Sequence, residues 1–265
     1  GGDELDAITN ALAVLSLYVD DSTFVKEFAS DALSAVGKYL QEHNSLFGVE
    51  LIPVDDSAFG AIMQSFIDTT AKTTPDTVKK NIATLFGQPT LAEGSDQYHN
   101  SGIVSAFAHM NIPEEDLDEE AAQKRHDVVA DAFTTLADNE AMEEVLDQVS
   151  EYASQLINEN AAGLVEEDAK EVYEEVVNQV SDTIVAVQDL PTAEKVEVVK
   201  EIIDSALDEF HMEIEDWQST IVATCAVKEF CDGDYLDENG NPTVSIEDIM
   251  SFFGVSEAEM PEWAK

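Results

Sequence analysis

Positive charge is what this chain has least of. Twelve Lys and Arg stand against 57 Asp and Glu among 265 residues, Arg125 is the single arginine, and the formal net charge is −45. Phosphate backbones are bound by Lys and Arg that displace their counterions, so direct nucleic-acid binding is excluded. Apolar runs are also short, and none reaches the roughly 18 residues that a membrane-spanning helix needs. The longest uncharged run, Gln97 to Pro113, carries His, Asn and Ser and is too polar to insert. No charged-then-apolar leader opens the chain, but it starts at Gly1, so an earlier leader is not excluded. Cysteine is limited to Cys225 and Cys231. On one helix these two would point in different directions and could not bridge. A disulfide would require the helix to end between them, near Asp232-Gly233-Asp234, so two reduced, partly buried thiols are expected. HExxH, GxSxG, P-loop and GxGxxG patterns are all missing. Carboxylates are abundant enough to make close acid pairs unavoidable, so no catalytic residue is assigned and a non-enzymatic protein is expected.

What the chain does have is a repeated physical idea, an apolar stripe at helical spacing under a coat of carboxylates. Met142, Val145, Leu146, Val149, Ala153 and Leu156 recur at three- and four-residue steps, with Glu143, Glu144, Asp147 and Glu151 facing water. Val172, Tyr173, Val176, Val177, Val180, Ile184 and Val187 do the same, and Val196, Val199, Ile202, Ile203, Ala206, Leu207 and Phe210 form a third stripe. Residues 143–151 and 174–182 align closely, and Glu201-Ile202-Ile203-Asp204 echoes them, which suggests consecutive antiparallel helices. A helical solenoid would need about three recognisable copies. With two good copies and one poor one, a bundle is the expectation.

The charge has an energetic consequence. Spread over a sphere of about 20 Å radius at physiological salt, it repels itself by an amount on the order of tens of kcal/mol, and molar salt removes about half of that. Even discounted several-fold for the unfolded chain's own repulsion, this rivals the roughly 5–15 kcal/mol by which domains are stable. Concentrated salt, bound divalent cations or a basic partner must offset it. In composition the chain resembles proteins adapted to high salt, although its preference for Lys over Arg departs from that of GC-rich halophiles.

Taken in order, Leu5, Ile8, Leu12, Leu15 and Val19 predict an opening helix. Asp20-Asp21-Ser22 then separates it from a second carrying Val25, Phe28, Ala32, Val36 and Leu40 on its inner side. Val49 to Val54 reads as a connector or edge strand. Helical spacing resumes at Phe59, Ile62, Met63, Phe66 and Ile67. Thr74-Pro75-Asp76 caps another helix with Val78, Ile82, Leu85 and Phe86 inside. A polar loop covers Gly87 to Gly102, and a short helix follows at Ile103, Val104, Phe107 and Met110. Ile214, Trp217, Ile221 and Cys225 predict a helix to about Phe230. Ser245 with Asp248 forms a capping box for a last helix carrying Ile249, Phe252 and Phe253 and closed by Gly254. The fold class is all-α, a multi-helix bundle of about nine to eleven helices with antiparallel neighbours and room for one short β-hairpin near 235–244. Residues 1–112 are expected to form an acid-poor helical domain and 113–265 a highly acidic bundle, as one continuous domain or two.

Two groups of residues are candidate sites. Residues 51–110 hold six acids and three bases against 42 and seven in 111–265. In that acid-poor stretch Phe59, Met63, Phe66, Phe86, Phe107 and Met110 form either a buried centre or a surface that meets another subunit. The second group is Asp232, Asp234, Asp237, Asn239, Asn241 and Asp248. Ca²⁺ takes several oxygens from a tight loop, and Asp237, Asn239, Asn241 and Asp248 imitate EF-hand positions one, three, five and twelve. Against this, the sixth position needs Gly and has Pro242, which cannot take positive φ. A hairpin turning at Asn239-Gly240 is the competing and preferred reading, with loose binding of Ca²⁺, Mg²⁺ or monovalent counterions compatible with either. Asp96-x-x-His99 and Asp208-x-x-His211 imitate only superficially a carboxylate-bridged di-metal bundle.

The expected function is that of a non-enzymatic structural or assembly protein for a cation-rich setting, with a protein partner or self-assembly. A virion component is one such role, suggested by a processed-looking Gly1 and the lack of catalytic motifs. The rival readings are an inhibitor that mimics DNA and occupies basic nucleic-acid-binding proteins, and a Ca²⁺-responsive binding module.

Overall fold

The computed structural model describes residues 13–42, 45–46, 49–50, 61, 64–65, 68–69, 74–87, 102–110, 112 and 117–265. Nine α-helices lie among them: α1 Thr23–Glu42, α2 Pro75–Phe86, α3 Ile103–Met110, α4 Glu119–Ala137, α5 Glu143–Asn160, α6 Ala169–Ala186, α7 Thr192–Glu209, α8 Asp216–Ala226 and α9 Ile246–Phe252. The fold is all-α. Among the described residues the one ladder, Ser45–Leu46 (β1) against antiparallel Val49–Glu50 (β2), is two residues long and contributes no layer. The rest of the predicted strand, and the predicted helix faces at Leu5–Leu12 and Phe59–Ile67, lie outside the described residues.

The chain divides into two units, Gly1–Gln148 and Val149–Lys265. The division therefore lies within α5, and the segment Asn111-Ile112-Pro113, where composition changes, belongs to the first unit.

In the first unit α2 is the hub, packing against the 3₁₀ turn Val14–Tyr18 and against α1, α3 and α4. Its start is made as its sequence requires: Thr74 Oγ1 accepts from Thr77 N, and Pro75 sits where its missing N–H has no partner to lose. Val78, Ile82, Leu85 and Phe86 are buried. At its far end the backbone of Leu85 and Phe86 meets the start of α3 so closely that a Cβ on Gly102 would lie 2.3 Å from the Leu85 carbonyl. A polar cluster is buried with them: Asn139 Nδ2 donates to Asn81 Oδ1 (3.1 Å) and Thr84 Oγ1 (2.9 Å). Arg125 is buried and donates to the Ile112 carbonyl at 2.7 Å. The chain's one guanidinium thus ties a loop and stays off the surface.

One predicted face is corrected here. Leu15 and Phe28, expected to point inward, are exposed, while Ala29, Ser30 and Leu33 turn to the interior. The inward face of α1 is thus centred one residue away from Phe28, on the smaller Ala29 and Ser30, with Leu33 one turn on.

In the second unit the three echoing stripes become α5, α6 and α7, each 18 residues long. Val149 and Ala153 are buried as their counterparts Val180 and Ile184 are. The turn at 187–191 folds α7 back on α6, and α8 packs on α7. α8 runs on through a π-helical turn, Val227–Cys231. α9 opens with the predicted capping box, Ser245 Oγ accepting from Asp248 N at 3.2 Å and Asp248 Oδ2 from Ser245 N at 2.8 Å. Gly254 closes it at φ +83°. α9 is fastened to α5 by Ser154 Oγ donating to the Phe252 carbonyl and Asn158 Nδ2 donating to that of Gly254. The core centres on Tyr173, whose ring lies 5.3 Å from Phe210 and 6.1 Å from Phe253 and Trp263. Among the described residues no helix is long and apolar enough to cross a membrane.

Candidate functional site

Residues 235–243 close as a hairpin between the end of the π-helical turn and the start of α9. Leu236 bridges antiparallel to Pro242, Asp237 N donates to the Asn241 carbonyl at 2.8 Å, and Gly240 takes φ +80° at the turn. Proline at position 242 leaves Thr243 to supply the next cross-strand N–H, to Tyr235 O at 2.8 Å. The Asp237 carboxylate is occupied within the turn: Oδ1 accepts from the N–H groups of Asn239 (2.7 Å) and Asn241 (2.9 Å), and Oδ2 from Asn241 Nδ2 (2.9 Å). The side chain and backbone of Asn241, then Asn239, hold its carboxyl down to about 2.

The other candidate ligands serve elsewhere. Asp248 caps α9. Asp232 accepts from Lys195 Nζ at 2.8 Å and lies 3.4 Å from Lys228 Nζ, while Asp234 is exposed. Among the described residues no group of three or more His, Cys, Asp or Glu is arranged to hold a metal ion.

Asp208 and His211 do not form a ligand pair on one helix, because α7 ends between them. Phe210 is the C-cap and His211 follows it in the left-handed region at φ +56°. His211 N donates to the Asp208 carbonyl and Met212 N to that of Leu207, the two bonds of a Schellman end with histidine where glycine is usual. Asp96 and His99 lie outside the described residues. Cys225 and Cys231 are both free. The helix continues between them, so they diverge, and burial pushes each thiol up to about 11.

Of the aromatic and methionine group, Phe86 and Met110 are buried in the first unit. Phe59, Met63, Phe66 and the side chain of Phe107 lie outside the described residues.

The site-like feature that motif reading missed is a groove of about 680 Å³ in the second unit. Glu166, Asp168, Glu171, Glu175 and Glu209 line it beside His211, above a floor that includes Ala169, Val176, Ala206 and Phe210, and no Lys or Arg lines it. It brings residues of α6 next to the end of α7, a juxtaposition that a one-dimensional pattern does not show.

The distribution of charge goes further than any pocket. In the second unit 29 Asp and Glu accompany five Lys; none of the 29 is buried and 26 are exposed, whereas Lys265 alone of the lysines is exposed. The others pair with carboxylates: Lys195 with Asp232 and Lys200 with Asp204 and Asp216 are largely covered, while Lys228 with Asp232 and Lys170 with Glu174 pair nearer the surface. The outer surface of this unit is thus almost purely anionic.

No family model, no curated protein and no solved structure matches this chain.

Proposed function

We propose that this protein is a non-enzymatic structural or assembly component whose fold is completed by a cation-rich setting, such as concentrated salt or a basic neighbouring protein; a virion part is one such role. The observation that carries this reading is the charge of the second unit, where 26 of 29 carboxylates are exposed and four of the five lysines are already paired with carboxylates. A protein built for dilute solution intersperses the two signs on its surface. Here Lys195 and Lys200 tie α7 to α8 and its extension and the other paired lysines are taken by near neighbours, so the outward carboxylates depend on mobile ions or a positive partner. Hydration of a dense carboxylate coat keeps such a surface soluble in brine, and screening that shortens from about 8 Å at physiological salt to about 3 Å at molar salt removes its self-repulsion.

The test is a thermal melt of the whole chain from 10 mM to 2 M KCl. The midpoint should rise by about 10 °C or more, and a variant with five exposed carboxylates of α6 and α7 changed to Gln should show a shallower rise. An equal midpoint at both salts would refute the reading. A variant slope equal to that of the wild type would assign the salt effect to solvent structure and refute it equally.

A further inference from the structure

Of the eleven asparagines in the chain, Asn239 alone precedes a glycine. That order sets a side-chain amide beside a backbone N–H that no Cβ shields. Both residues are exposed, and nothing stands within 4 Å of the place a Cβ on Gly240 would take. Access is therefore open, and hydrogen bonding is what restrains the pair. Gly240 N donates to the Asp237 carbonyl at 2.9 Å. Asp237 Oδ1 accepts from Asn239 N at 2.7 Å and from Asn241 N at 2.9 Å, which holds the backbone on both sides of that nitrogen.

We propose that Asn239 is a site of uncatalysed modification to aspartate or isoaspartate, guarded by the Asp237 turn and released when that turn opens. Solvent hydroxide takes the Gly240 amide proton, and the nitrogen bonds to Asn239 Cγ. The Cγ–Nδ2 bond breaks, and ammonia leaves with a proton from water, which restores the hydroxide. Water then opens the cyclic imide at one of its two carbonyls. A nitrogen that has lost its proton no longer donates to Asp237, so the bond that closes the turn must break before the ring forms. The rate therefore follows the population of the opened turn. Asn241 is a control within the same hairpin, because Pro242 has no N–H to attack with. Either product places a further carboxylate beside Asp237 and Glu238. Isoaspartate also lengthens the main chain by one CH₂, between the pairs Asp237 with Asn241 and Tyr235 with Thr243. The hairpin thus keeps a permanent chemical record of having opened, whatever the protein assembles with.

Peptide mapping by mass spectrometry tests it, on whole chain held at pH 8 and 37 °C either folded in 2 M KCl or unfolded in 8 M urea. In urea Asn239 should convert first among the asparagines, and Asn241 should stay intact. Gly240→Ala should slow the conversion several-fold there, where folding plays no part. In the folded chain Asn239 should convert at least about tenfold more slowly than in urea, the factor that a single hydrogen bond at the strong end of its net range sets. Asp237→Ala removes the side-chain acceptor of two N–H groups and should raise the folded rate at least about fivefold, with helicity by circular dichroism unchanged. Asp237→Asn keeps the shape of the side chain and should raise it less; it decides the matter if the alanine variant loses helicity. Equal rates in folded and unfolded chain overturn the proposal, as does an Asn239 that stays intact in urea. A folded rate indifferent to both Asp237 variants also overturns it, because the carboxylate is then no guard.

Discussion

Replacing Lys200 with methionine isolates one of the internal cations on which the second unit depends. Its ammonium lies 3.0 Å from Asp204 and 2.8 Å from Asp216, and the lysine side chain is 14 % exposed against 44 % and 36 % for its partners. Asp204 also accepts from Ser219 Oγ, so the lysine organises the contact of α7 with α8. Methionine keeps the alkyl packing and removes the charge. Breaking a fully buried pair costs about 3–5 kcal/mol, and an exposed one is worth at most about 1 kcal/mol. Here the orphaned carboxylates are a third to nearly half exposed and regain water, so we expect a loss of about 2 kcal/mol. For a unit of this size that lowers the midpoint by about 5–10 °C.

The pH dependence has a definite sign. Burial would lower the lysine's pKa, but the hydrogen bonds it donates to Asp216 and Asp204 and their charges outweigh it and hold it above the ordinary 10.5. A raised folded value means that the stabilisation is complete below 10.5 and fades as pH climbs through the folded value. Urea melts in 2 M KCl should therefore show the full difference from wild type at pH 7 and a shrinking one as the pH climbs beyond the ordinary lysine value through the raised folded one. A difference under about 0.5 kcal/mol at pH 7, the range of ordinary surface substitutions, would show that solvent, not the two aspartates, holds the ammonium. A difference unchanged at high pH would show that the alkyl chain carries the effect.

Three further outcomes are expected. His211→Gly removes a Cβ from a left-handed helix end and should stabilise the protein by about 0.5–1 kcal/mol in urea melts; destabilisation would mean that the imidazole makes a contact worth more than the strain. Asp237 should titrate near 2 when followed by carbon-13 shift, because Asn241 and Asn239 donate to its ionised form. Its folded value is depressed, so its support for the hairpin is present above the ordinary 3.8 and is lost as pH falls through about 2; a midpoint near 4 would refute the turn geometry. Native protein at pH 8 should leave both thiols unreacted toward a disulfide reagent over minutes, since burial holds Cys225 and Cys231 up near 11, and should release two on unfolding. A fast native thiol would place that cysteine outside the packed helix.

Much of the architecture was already written in short-range chemistry. The three-four spacing of α6 and α7, the Thr74-Pro75 start and the Ser245–Asp248 box depend only on neighbours along the chain, and a helix satisfies its backbone internally, so one dimension suffices to find it. The hairpin near Asn239-Gly240 was legible in the same way, but only Gly240 takes positive φ, and its N–H donates to the Asp237 carbonyl, so the turn closes over Glu238-Asn239 and not between Asn239 and Gly240. The side on which Phe28 points, the burial of Arg125, the Asn81–Thr84–Asn139 cluster and the anionic groove were decided by tertiary packing, since each depends on which element arrives from far along the chain. Composition alone determined that carboxylates would crowd the outside. Only the folded structure decided that Lys195 and Lys200 would be largely covered, because Asp232, Asp204 and Asp216, which come from beyond their own turns of helix, supply the partners that offset the hydration a covered ammonium loses.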